Sequence, residues 1–129
     1  MKELVLYYTP SPAPHVAKLK SVLVRMGVRI KNIGPEQVNQ TVGYLAGLPG
    51  FEAQVTEALP VIPEEVLVMK NFTSSRIDAL LFGLRKAGVP KIALKAIITE
   101  HNCKWTFYQL YEELRKEHLE MSGKGGDTV

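Results

Sequence analysis

The side chains able to do chemistry fall in three short stretches of the sequence. The most suggestive is Asn71-Phe72-Thr73-Ser74-Ser75-Arg76, where hydroxyls and a guanidinium stand together ahead of a helical pattern. If this loop leaves a strand and opens a helix, unpaired backbone N–H groups join them in a place suited to an anion. A second polar helix start holds Thr9, Ser11 and His15. The third stretch, Thr99 to Trp105, contains Glu100, His101, Asn102 and Cys103. Ligands this close in sequence do not close a tetrahedral metal site without partners from elsewhere, so no metal is expected there. No base is evident beside Cys103, and a part-buried structural thiol accounts for it better than a nucleophile does. Threonine and serine also cap helices with no ligand involved, and that plainer role competes at both helix starts.

Other sites are argued against by what the chain lacks. It has no Walker loop, no Gly-x-Gly-x-x-Gly after a strand and no Gly-x-Ser-x-Gly elbow, so no catalytic residue and no cofactor is predicted. Gly43, Gly47 and Gly50 lie on or just beyond a helix, where close packing explains them better than phosphate contact. Lys18, Lys20, Arg25, Arg29 and Lys31 form a basic surface, read as a solvated face because no aromatics are interleaved. The net charge of +3 mixes 16 basic with 13 acidic residues, which argues against a charge-driven nucleic-acid binder. The apolar run at Leu4 to Tyr8 is too short for a signal peptide, and no stretch is long enough for a membrane span. With a single cysteine, a cytoplasmic protein without disulfides is the expectation.

Four apolar runs and four helical patterns position these residues. Leu4 to Tyr8 and Val66 to Met69 are apolar throughout, as strands covered on both faces are. Val28 to Ile33 and Lys91 to Thr99 alternate, as edge strands do; the latter sets Ile92, Leu94, Ala96 and Ile98 on one face. Ser11-Pro12 reads as the cap and first position of a helix carrying Val16, Leu19, Val22, Leu23 and Met26, closed by Gly27. Pro35 opens a second helix with Val38, Val42 and Leu45. Thr73, Ser74 or Ser75 caps a third, with Ile77, Leu80, Leu81 and Leu84 inward, and Gly88-Val89-Pro90 ends it. Thr106 and Gln109 form a capping box for the fourth, with Trp105 and Leu110 as its staple, running to about Met121.

An offset of 61 residues carries Gly27 onto Gly88, Leu19 onto Leu80, Leu23 onto Leu84 and Val5-Leu6 onto Val66-Leu67 without a gap. This register predicts a duplicated βαβα unit. The expected organisation is one α/β domain over 1–121, with halves 3–48 and 65–121, a linker 49–64 and a disordered tail 122–129. In the linker, Phe51, Val55 and Leu59 are at helical spacing and should pack on the domain. The preferred fold is a four-stranded parallel sheet of order 2-1-3-4 with helices on both faces, which right-handed crossovers permit. The alternative is a ferredoxin-like α+β sandwich of order 4-1-3-2.

Two resemblances add to this reading. Asn71-Phe72, Ile77-Asp78-Ala79-Leu80-Leu81, Gly83 to Gly88, Ala93 to Thr99, Asn102, Lys104-Trp105-Thr106 and Glu112-Glu113-Leu114 resemble a bacterial family of uncharacterised proteins, domain of unknown function 3783. That likeness runs from Val66 to His118, with Val42 to Gly47 and Pro49-Gly50-Phe51 as family-like segments upstream, and implies no activity. Val5 to Pro10 followed by a helix is similar to the opening of glutaredoxins. Ser11, Pro12, Ala13 and Pro14 stand where their thiol would be, which excludes that redox reaction here.

The function expected from the residues is a non-catalytic module that takes a small anionic ligand or a protein partner. Its site would be the loops after strands one and three: Thr9, Ser11 and His15 facing Asn71, Thr73, Ser74, Ser75 and Arg76. His101 and Asn102 are a possible second site. The alternatives are an enzyme with an unrecognised site in the strand-end loops, its candidates being His101, Asn102, Cys103 and the Thr73–Arg76 loop, and a weak nucleic-acid binder. Membrane association is not expected. The shared crevice requires strands one and three to run side by side in the same direction.

Overall fold

The computed structural model describes residues 3–11, 13–54 and 60–128. Its centre is a pair of strands, β1 (Leu4–Tyr8) and β3 (Val66–Lys70), in which every position but Leu4 and Lys70 is buried. They are flanked by β2 (Arg29–Asn32) and β4 (Leu94–Ile97), giving the order β2-β1-β3-β4. The apolar runs thus occupy the middle of the sheet and the alternating runs its edges.

The direction of the strands differs from the all-parallel expectation. β1 is parallel to β2, and β3 to β4, but β1 and β3 are antiparallel, with Leu4 opposite Lys70, Leu6 opposite Val68 and Tyr8 opposite Val66. Strand order and two-sided burial look the same in both arrangements, so periodicity carries no information on direction. The sheet is therefore mixed, in neither the parallel nor the 4-1-3-2 arrangement.

Strand direction decides which helices share a face. With β1 and β3 reversed relative to each other, two right-handed βαβ crossovers that leave toward opposite edges come to lie on one side of the sheet. Helices α1 (Pro14–Arg25) and α3 (Ser74–Lys86) accordingly pack on the same layer, with Leu19, Leu23, Leu80 and Leu84 over Val5, Tyr7, Leu67 and Met69. They cross closely: a Cβ on Gly83 would stand 3.0 Å from Val22 Cγ1. The opposite layer sets α2 (Val42–Leu45) and α4 (Phe107–Thr128) against Leu6, Tyr8, Val66, Val68 and Leu94. Each fully buried Leu or Val contributes about 1.5–3 kcal/mol, so both faces anchor the central pair.

Local signals explain most helix ends. Thr73 caps α3, its Oγ1 accepting from Arg76 N at 3.3 Å. Thr106 and Gln109 exchange bonds of 2.8 and 3.0 Å in the capping box that starts α4. Gly27 and Gly88 follow α1 and α3 with φ of 75° and 82°, the left-handed conformation glycine takes without a Cβ penalty. Other ends differ from expectation. α1 begins at Pro14 behind Ala13, which has no side chain to cap with; Ser11 lies outside the helix and Pro12 outside the described residues. Pro35 opens only a 3₁₀ turn, Pro35–Gln37, and the helix restarts under a separate cap, Thr41. Phe51 is not helical, and Val55 and Leu59 lie outside the described residues. Ile92 precedes β4 and packs in the α1/α3 layer, away from Leu94, Ala96 and Ile98. α4 runs on to Thr128, past the end near Met121 that its apolar pattern marks.

The two βαβ halves correspond with one slip. Leu19 and Leu80, Leu23 and Leu84, and the two glycines keep the offset of 61, and these leucines share a layer. In the strands that offset would equate Val5 with Val66, which face opposite layers; Val5 and Leu67, which face the same layer, are 62 apart. Between these matched strand and helix positions the second half is thus one residue shorter than the first. No helix among the described residues is long and apolar enough to cross a membrane.

Candidate functional site

The antiparallel central pair sends the loops after β1 and β3 to opposite ends of the sheet. The crevice expected between His15 and Arg76 therefore does not form, and each residue has a partner at its own end. His15 Nε2 lies 2.9 Å from Glu65 Oε2, and the same oxygen accepts the Tyr7 phenol. Burial, reinforced by the Glu65 carboxylate, raises the Tyr7 pKa well above that of an ordinary phenol. At the other end Arg76 holds Glu3 with two bonds, Nε to Oε2 at 2.8 Å and Nη2 to Oε1 at 2.6 Å, and also reaches the Met26 carbonyl at 2.6 Å. The hydrogen bond from Arg76 lowers the Glu3 pKa against an opposing effect of burial. The ties correspond: an acid directly before one half's first strand meets a residue from the first turn of the other half's first helix.

The remaining residues of the expected crevice are engaged locally or face solvent. Thr9 Oγ1 donates to the Ser11 carbonyl at 2.8 Å, Thr73 Oγ1 lies 3.2 Å from Ser75 Oγ, and Ser11, Ser74 and Ser75 are exposed. The residues of the second predicted site are bonded within their own turn. Asn102 Oδ1 accepts from Thr99 N at 2.8 Å and its Nδ2 donates to the Ile97 carbonyl at 2.9 Å, which fixes the turn after β4. His101 stacks edge-on to Trp105 with centroids 5.2 Å apart. Cys103 is buried, its Sγ 3.3 Å from the Glu100 carbonyl. Among the described residues no three of His, Cys, Asp and Glu gather in a metal-binding cluster.

A basic cleft of about 880 Å³ lies on the α2/α4 side, at the end of the sheet where β1 and β2 begin and β3 ends. The pairing sets Arg29, Leu4 and Lys70 in one row across three adjacent strands, with Lys31 beside Leu6 one step along. Leu4 and Leu6 belong to the α2/α4 layer, so these cations rise on that face. Arg29 and Lys31 are consequently separated by the sheet from Lys18, Lys20 and Arg25 on α1, and the single basic surface expected from the sequence is divided. Because α2 is only four residues long, it ends at the cleft, where Ala46, Gly47 and Leu48 form a wall. Lys70 Nζ donates to the Ala46 carbonyl at 3.4 Å. Among the described residues Glu3 is the one acid that lines the cleft, and Arg76 already neutralises it. Among the described residues neither Arg29 nor Lys31 has an ion pair. Asn71, from the expected site, also lines the cleft, in a left-handed turn with φ 64° that asparagine tolerates better than most residues.

The sequence places Arg29 and Lys31 in a basic surface read as a solvated face, not in a site. Alternation along β2 fixes that they share a face. Lys70 joins them only through the antiparallel register, which no local pattern encodes. No curated protein and no solved structure matches this chain. The family model described as Domain of unknown function (DUF3783) matches residues 65–121, the part of the chain that supplies Lys70 and Asn71.

Proposed function

We propose that this protein is a non-catalytic module that binds a compact polyanion, such as a diphosphate group, in the cleft between β2, α2 and the end of β3. The observation that carries this reading is the row Arg29-Leu4-Lys70 with Lys31 beside it, around a cleft where Glu3, the one acid among the described lining residues, is already paired. Adjacent strands are about 4.8 Å apart, so Arg29 and Lys70 stand about 10 Å from each other at their Cα atoms. That spread suits charge distributed over more than one phosphate better than a single small anion. Arg29 offers a planar fork of donors and the lysines compact point charges, a combination suited to phosphate oxygens.

The cleft draws Arg29, Lys31 and Leu45 from one half and Lys70 and Asn71 from the other. On this reading the functional unit is the whole domain 1–121, and 65–121 alone has no complete site. The matching Glu3–Arg76 and Glu65–His15 ties also support the reading of the halves as a duplicated unit, in which one half kept a guanidinium and the other an imidazole.

Calorimetric titration with inorganic pyrophosphate tests the proposal. Wild type should bind pyrophosphate at least about tenfold more tightly than orthophosphate, and Arg29→Gln/Lys31→Gln should weaken it by about tenfold or more, as loss of charge-assisted hydrogen bonds does. Both side chains are at an edge and unpaired, so the variant should keep its fold. Equal pyrophosphate affinity in variant and wild type overturns the proposal.

A further inference from the structure

A second cavity, of about 270 Å³, opens between α3 and β4, on the opposite layer and at the other edge of the sheet from the basic cleft. Its wall is apolar, built by Leu81, Leu84, Val89 and Ile92. Three cations line it as well: Arg85 and Lys91 are exposed, and Lys95 is half-buried. Among the described residues no acid lines it.

Lys95 is the unusual member. The register sets it beside Leu67, whose side chain is fully buried in the α1/α3 layer, so Lys95 turns under α3 while Leu94 and Ala96 face the other way. Its Nζ donates to the Ile92 carbonyl, a neutral acceptor that leaves the charge uncompensated. Burial, with Lys91 nearby, holds its ammonium below the usual lysine range. Among the described residues neither Arg85 nor Lys91 has an ion pair. Like charges gathered against an apolar wall repel one another and are poorly solvated, and an anion placed between them relieves both costs. A fully hydrated inorganic anion would leave the apolar wall unused, whereas an aliphatic tail would cover it.

We propose that this cavity binds a carboxylate bearing a short aliphatic chain, the chain against Leu81, Leu84 and Ile92 and the carboxylate among Lys95, Lys91 and Arg85. It is a site separate from the polyanion cleft and does not depend on it.

The test is an NMR titration of the full chain with hexanoate, with acetate and 1-hexanol as probes lacking the tail or the charge. Hexanoate should give saturable shifts at Leu84, Val89, Ile92 and Lys95, at least about tenfold tighter than either control. Lys95→Met keeps the length of the side chain and removes its charge, so it should fold while binding hexanoate at least tenfold more weakly. Arg29→Gln/Lys31→Gln should bind hexanoate as wild type does, whatever its response to pyrophosphate. Unchanged hexanoate affinity in Lys95→Met, equal binding of acetate or hexanol, or no saturable hexanoate shifts each overturns the proposal.

Discussion

At the scale of residues, charge is arranged around two carboxylates in matching places. Glu65 is shared between a buried phenol and an imidazole, and Glu3 is gripped by a guanidinium. The Glu3 tie has a pH signature whose sign follows from its lowered pKa. Folding favours the ionised carboxylate, so the stabilisation is complete above the unfolded value near 4.5 and is lost as pH falls through the lower folded value. Removing the partner should flatten this dependence: between about pH 5 and pH 2 the stability of Arg76→Gln, measured by urea unfolding, should fall less steeply than that of wild type. The same variant leaves an uncompensated carboxylate in the basic cleft, so its pyrophosphate affinity should fall too. Parallel acid profiles for the two proteins would contradict the assignment. Arg76 was visible in the sequence as a polar residue at a helix start. Its partner, 73 residues away in the chain, was not, because only the reversed central pair brings Glu3 to that end.

At the scale of elements, the local devices that the residues spell out are the ones found. The Thr106/Gln109 box and the Thr73 cap are complete within four residues of chain, and no tertiary context is needed to form them. The second helix is where local reading fell short. Pro35 signals a start, and the stripe Val38, Val42, Leu45 fits a continuous helix, yet Thr41 breaks it by pairing with Thr106 in an isolated bridge while Val42 N donates to the Trp105 carbonyl at 2.8 Å. Those long-range bonds tie the start of α2 to the start of α4, while the end of α2 that borders the cleft is closed at Gly47, φ 75°. Gly43 keeps α2 in place: a Cβ there would lie 2.6 Å from the Phe51 ring. Gly43→Ala should cost about 1–3 kcal/mol, typical of overpacking, seen as a lowered urea midpoint with unchanged slope. Stability within about 0.5 kcal/mol of wild type would show that Phe51 moves aside freely. Close packing at Gly43 was anticipated from its place on a helix; the aromatic partner was not.

At the scale of the whole molecule, one choice of direction governs the rest. Which strands are central and which lie at the edges, and the coverage of both faces, follow from which runs are apolar and which alternate. The relative direction of β1 and β3 does not, because residues 49–64 are long enough to deliver β3 from either end. Reversal separates His15 from Arg76, gathers α1 and α3 on one face, and sets Lys70 level with Arg29 across Leu4. The polyanion cleft is a product of that register. The most direct test is a ¹⁵N NMR titration of the wild-type chain with inorganic pyrophosphate. The account predicts saturable shifts confined to Leu4, Arg29, Lys31, Ala46, Gly47, Lys70 and Asn71. Shifts that instead join Thr9–His15 with Thr73–Arg76, or none that saturate, would contradict it.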